Sequence, residues 1–325
     1  MIPSPRPGPV NRPRPPGKRA LLPLLGALAL AGCASLGPVT PPAPVAVAAA
    51  PPRPAVLVAV DPASADLAAF YARLETERRS RGLLLTAEAP SEPLPSAERL
   101  AETWVAVALR DEPLLGGAPR PAVLRRWQVP VRLSLEFGAT VPPETRAADT
   151  ALVAALADRL SEAARHPVSL AAPGMGGNFH VLVLSENERR GAADRLRALV
   201  PGIDDATLRL ITDLPREVFC MVIAFSRDGG PAYSEAVAII RAEHPDLTRT
   251  ACYHEEIAQG LGLAADSDRA RPSVFNDDQE YALLTRQDLA LLRLHYDPRL
   301  RPGMSESQAR PLLFSIASEL VPGAS

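Results

Sequence analysis

The sequence predicts an α+β domain: a mixed sheet, one central helix and a C-terminal helix, preceded by further helices and a disordered N-terminal linker. Three observations predict it. Stretches of strand length rich in Val, Ile, Leu and Phe recur between residues 127 and 240. Amphipathic stretches of helical period separate and flank them. The third observation is Thr250 to Leu263, where helical periodicity, clustered carboxylates and a glycine stop coincide.

The chain opens with Arg6, Arg12, Arg14, Lys18 and Arg19 and no acidic residue, then a short apolar core from Leu21 ending in Leu30-Ala31-Gly32-Cys33. That pattern predicts a lipoprotein signal peptide over residues 1–32, too short for a spanning helix. Export, cleavage before Cys33 and acylation of its thiol would anchor the protein to a membrane surface facing the periplasm. An uncleaved apolar anchor would keep it in the envelope as well. Ala34 carries no acidic retention signal, which favours the outer membrane over the inner. Residues 33–60 are Pro and Ala with almost no charge and read as an extended spacer. A formal net charge of -2, with no basic stripe interleaved with aromatics, excludes nucleic acid as a natural partner. The expected partners are the membrane, through Cys33, and an envelope protein or cell-wall component.

Residues 61–120 form a helical preface. Asp61-Pro62 starts a helix with Leu67, Phe70, Tyr71 and Leu74 on one side, and Ser96 caps a second with Leu100, Trp104, Val105 and Ala108. Residues 121–304 hold the main domain. Trp127 to Phe137 alternates like a strand, and Thr150 to Ala164 is an amphipathic helix. Strands are expected at Val168 to Leu170, Phe179 to Leu184, Val218 to Phe225 and Ser234 to Ile240. Glu186 to Leu214 is charged with a helical pattern and reads as an insertion over the sheet edge. Gly174-Met-Gly-Gly177 precedes a strand and has no Lys-Ser/Thr after it, so it is a turn and not a phosphate loop. Thr285-Arg-Gln-Asp288 boxes a helix through Tyr296. Residues 305–325 are a final helix, capped at Ser305, and a tail.

In the Thr250 helix, Tyr253, Ile257 and Leu261 share one side with His254 at its edge, while Cys252, Glu255, Glu256 and Gln259 lie opposite. Glu255, Glu256 and Gln259 should therefore line an exposed groove that His254 does not enter. The zinc-peptidase motif H-E-x-x-H fails in both registers: from His254 the fifth position is Ala258, and from Glu255 both histidines are replaced, by Glu255 and Gln259. Cys220 and Cys252 are an even pair in an oxidising compartment and predict a disulfide. No Gly-x-Ser-x-Gly or other nucleophile motif is present, and His166, His180, His244 and His295 show no spacing that links them.

Three readings of the carboxylate face stay open. It is a polar binding or scaffold face without metal; or a metal site with Glu255, Gln259 and Asp266 as oxygen ligands and Glu256 as catalytic base; or a metal-free acid/base pair whose second carboxylate comes from Asp277 or Asp278. No cofactor is specified by the sequence.

The run Cys252 to Leu263, followed by Asp266-Ser, Ser273-Val-Phe-Asn-Asp277, Leu284-Thr and Leu292 to Met304, resembles the bacterial domain-of-unknown-function 2927 family. Its members are mostly described as lipoproteins without assigned activity, so the resemblance implies a topology and not a reaction. The segment is more distantly similar to matrixin-like zincin metallopeptidases, in which a ligand-bearing helix is followed by a methionine turn and a C-terminal helix. Phe275 stands where that methionine would be. The resemblance implies a zincin-like fold with a degenerate metal site: a binding module or, alternatively, a metal- or carboxylate-dependent hydrolase of protein or cell-wall material.

Overall fold

The computed structural model describes residues 61–86, 94–111, 118–276 and 278–321. The signal peptide, Cys33, the Pro/Ala linker and Asp277 lie outside them. Helix α1 (Pro62–Ser80) starts where the Asp61 carboxylate accepts the Ala63 N–H at 2.8 Å, and α2 (Ala97–Ala108) where Ser96 Oγ accepts from Arg99 at 3.2 Å. Two short strands, β1 (Arg110–Asp111) and β2 (Arg120–Pro121), pair antiparallel.

The strand expected over Trp127 to Phe137 is two: β3 (Arg126–Trp127) and β4 (Val131–Phe137). Pro130 lacks the N–H that a continuous ladder needs, and the Asn178 side chain bridges the gap by donating to the Pro130 carbonyl and accepting the Arg132 N–H. Helix α3 (Pro143–Ala164) begins earlier than Thr150, with proline in its first turn and Glu144 beside it. Then follow β5 (Val168–Leu170), β6 (Phe179–Leu184), the helices α4 (Glu186–Arg190), α5 (Ala193–Leu199) and α6 (Asp205–Thr212), β7 (Cys220–Ser226) and β8 (Ala232–Arg241). The central helix α7 (Asp246–Gly260) also starts earlier than Thr250, straight after Pro245. Helix α8 (Arg286–His295) carries the Thr285–Asp288 capping box, and α9 (Glu306–Leu320) closes the chain after Ser305.

The main sheet runs β5, β4, β6, β8, with these strands parallel; β3 adds to β8 in parallel and β7 adds antiparallel. The sheet is thus mostly parallel and the fold mixed α/β, because α3 carries the crossover from β4 to β5. One sheet face, with Leu133, Phe179, Val181 and Ile240, packs into the main core with Trp104, Leu156, Tyr253, Ile257 and Leu291. The other face, with Leu182, Val237 and Ile239, is covered by Leu196, Leu208 and Ile211. The charged insertion therefore lies on a sheet face and not over the edge, since its helices carry an apolar stripe that needs burial. No described helix is long and apolar enough to cross a membrane.

Candidate functional site

Helix α7 is held on three sides. Tyr253, Ile257 and Leu261 are fully buried, as the period requires. Arg249 clamps Asp149 of α3 with two hydrogen bonds, and the Tyr253 hydroxyl donates to the same carboxylate at 2.8 Å. Cys252 is joined to Cys220 of β7 by a disulfide with Cα atoms 5.9 Å apart. At the helix end, Gly260 passes so close to Phe179 that a Cβ would sit 2.4 Å from its ring, and Trp127 Nε1 donates to the Gly260 carbonyl at 2.9 Å. Gly262 has φ +127°, and a Cβ there would meet the His295 ring and the Arg125 carbonyl. These glycines let α7 lie tight against the sheet and turn away sharply.

Between α7 and β7 lies a groove of about 570 Å³. One wall is the length of β7 from Cys220 to Ser226; the other is Glu255, Glu256, Gln259 and Gly260 of α7, with Asp266 beyond. Tyr233 and the ion pair Arg125–Asp111, 2.9 Å, close one end. Strand β7 pairs only with β8 among the described residues, so alternate N–H and C=O groups on its other edge have no strand partner.

The structure brings together Glu255, Glu256, Gln259 and Asp266 and leaves His254 elsewhere. Gln259 Nε2 donates to Asp266 Oδ1 at 2.8 Å. His254 is buried, its Nδ1 accepts the Leu284 N–H at 3.1 Å, and burial lowers its pKa to about 4, so it is a neutral core residue.

Glu256 differs from the exposed groove residue that the helical period suggests. It is only 4 % exposed, and its Oε2 has no hydrogen-bond partner. Burial, and next the negative charge of Asp266, push its pKa well above the usual carboxylate range. A protonated carboxyl resolves the conflict between an acidic residue and a buried place, since the neutral form costs far less to desolvate. Asp278, one expected source of a second carboxylate, instead pairs with Arg271 and does not line the groove. Asp266 is the carboxylate whose charge acts on Glu256.

The zinc set of a matrixin-like chain does not fit these residues. The helix positions one turn apart hold Glu255 and Gln259, both oxygen donors where zinc favours imidazole. Among the described residues, one set of three His, Cys, Asp or Glu side chains brings its donor atoms within 4.8 Å of one another: Cys220, Glu255 and Glu256. Its sulfur is already bonded to Cys252. Sequence reasoning missed Tyr233, Arg125, Asp111 and the role of β7. The first three lie far away in the chain, and the apolar run of β7 reads as a buried strand whichever edge it occupies.

A family model described as "Protein of unknown function (DUF2927)" matches residues 97–315. No curated protein and no solved structure matches the chain.

Proposed function

The chain belongs to the DUF2927 family, whose description assigns no activity, and on that premise we propose that it is an envelope binding module that takes an extended peptide segment into the groove between β7 and α7. One observation carries the reading: Glu256, a buried carboxyl whose Oε2 has no hydrogen-bond partner and whose proton affinity burial raises, lines an open groove along an edge strand. An extended peptide would add its backbone to β7 and reach Glu256 with a polar group. The order strand, helix, strand, strand, antiparallel edge strand, strand, helix supports a zincin-like ancestry in which the metal positions have been replaced. Lipid at Cys33 would hold the module at the membrane, outer in preference to inner.

A second reading, carboxylate-dependent hydrolysis, is favoured by the Asp266 charge, which adds to burial in raising the Glu256 pKa. A protonated Glu256 would serve as general acid and an ionised partner as base. Glu255, Gln259 and Asp266 as ligands suit Mg or Ca, and that proposal fails if exhaustive chelation leaves binding unchanged.

The test is a displayed library of random decapeptides panned on the protein. Selected peptides should lose at least about tenfold in affinity with Glu256→Ala and little with Glu256→Gln, because an amide keeps a neutral donor and acceptor. A library that yields no binders, or binders indifferent to both changes, removes the binding reading. Cleavage of bound peptide that Glu256→Gln abolishes would establish the hydrolase instead.

A further inference from the structure

The second sheet face, beside the cover of α4 to α6, carries three polar side chains from three neighbouring parallel strands. Ser134 on β4 and His180 on β6 are register partners, and Ser134 Oγ lies 2.8 Å from His180 Nδ1. On the other side of the ring, His180 Nε2 is 3.4 Å from the Glu235 carboxylate on β8. The next positions on the same face of β6 and β8 are apolar, Leu182, Val237 and Ile239, while β4 continues with Glu136, which pairs with Arg195 at the groove. Ser134 and His180 open into a groove of about 680 Å³, separate from the one beside α7. Leu170, Pro173, Met175 and Leu199 give it apolar walls.

We propose that Ser134, His180 and Glu235 form a second site, a serine relay that hydrolyses small carboxylic esters with an apolar acyl group. The orientation of the ring, with Nδ1 hydrogen-bonded to Ser134 and Nε2 towards the Glu235 carboxylate, suits the role. With the Nε2 proton turned to Glu235, the Nδ1 lone pair is left to accept from the Ser134 hydroxyl. Burial keeps His180 below its usual pKa and therefore neutral, the state a general base needs. The Gly174–Gly177 loop lines the same groove. A Cβ on Gly177 would lie 2.8 Å from Ser134 N and 3.0 Å from Ser134 Cβ, so glycine alone lets this backbone lie against the serine. The N–H groups of Gly176 and Gly177 donate to no described residue and would serve the oxyanion.

The chemistry closes without any other reagent. Ser134 Oγ bonds to the ester carbonyl carbon while its proton passes to His180 Nδ1. The adduct collapses, the bond to the alcohol oxygen breaks, and the alcohol leaves with that proton. Water, giving a proton to His180, then attacks the acyl-serine; the carboxylic acid departs and Ser134 recovers its proton. The net change is ester plus water to acid plus alcohol. Glu235 acts as a positioning residue through the imidazole.

The test uses full-length protein with a fluorophosphonate probe and p-nitrophenyl butyrate in mildly alkaline buffer. We expect an adduct mapped to Ser134 by mass spectrometry, absent in Ser134→Ala. His180→Gln should slow labelling and hydrolysis by about 100-fold. Glu235→Gln should slow both by about tenfold or more, with partial rescue by Glu235→Asp at an unchanged melting temperature. A folded wild-type protein that forms no adduct at Ser134 overturns the proposal, as does ester hydrolysis that persists in Ser134→Ala. Should His180→Gln fail to fold, the adduct and Ser134→Ala decide alone.

Discussion

Helix α7 buries His254 on one flank and Glu256 on the other, and it does so in opposite ways. His254 is neutral, 7 % exposed and satisfied by a backbone N–H; Glu256 is as deeply buried but leaves one oxygen unbonded beside a groove. A satisfied buried polar group is explained by the fold that surrounds it. An unsatisfied one beside an open space points outward, to something that the fold alone does not provide. The difference marks the Glu256 side as the one where a ligand is expected.

The largest effect should come from the disulfide that fixes the groove wall to α7. Its cysteines are 32 residues apart, and in the chain-entropy model replacing both with serine costs about 4 kcal/mol. Urea unfolding under non-reducing conditions measures it; a loss below about 1 kcal/mol would show that packing, not the crosslink, holds this side of the helix.

Next, at neutral pH, His254→Ala should destabilise by about 2 kcal/mol, because the Leu284 N–H loses its buried acceptor. Glu256→Gln should do the reverse and stabilise, since the wild type must either keep a proton against its unfolded preference or bury a charge. If both substitutions destabilise alike, the contrast between the flanks is wrong.

The pH dependence separates the two groups further. Glu256 has a raised folded pKa, so its contribution is fully present below the ordinary value of 4.5 and is lost as pH rises through the folded value. His254 has a folded pKa lowered to about 4 from 6.5, so its contribution is fully present above pH 6.5 and is lost as pH falls towards 4. Each changes stability by about 1.4 kcal/mol per pH unit in its window, with opposite sign. The advantage of Glu256→Gln over wild type should therefore grow as pH rises above 4.5. Taking variant minus wild type cancels the contributions of His244, His295 and Asp288. A pH-independent difference would mean that Glu256 titrates normally.

The smallest expected effect is Gln259→Ala, which removes one partly exposed hydrogen bond to Asp266 and should cost about 1 kcal/mol or less. Its informative readout is the Glu256 titration, followed by carboxyl infrared absorption. Removing this hydrogen bond from Asp266 should change the Glu256 pKa if the Asp266 charge acts on it.

Much of this was legible in the sequence, for local reasons. The caps at Asp61, Ser96 and Thr285 mark helix starts because their side chains reach backbone N–H groups within three residues, and at Ser305 the Gln308 side chain reaches back to accept the Ser305 N–H. The register of α7, with Ile257 and Leu261 inward and Glu255 and Gln259 towards a groove, follows from the helical period alone. The pairing of Cys220 with Cys252 followed from their being the two remaining cysteines after Cys33. The start of α7 at Asp246 and the break at Pro130 were missed where proline chemistry overrode the hydrophobic pattern.

What the sequence by itself determined, then, is whatever depends on neighbours one turn or one strand away: element types, caps, the faces of α7 and the carboxylates it presents. Only the tertiary structure decided how deeply Glu256 is buried, that Asp266 and not Asp278 stands near it, that β7 is the edge strand forming the other wall, and that Ser134 meets His180 and Glu235. The physical reason is that desolvation and strand order depend on residues far apart in the chain. A carboxyl's proton affinity is set by the surfaces that close over it, and helical periodicity can choose a face for a side chain but not what is packed against that face.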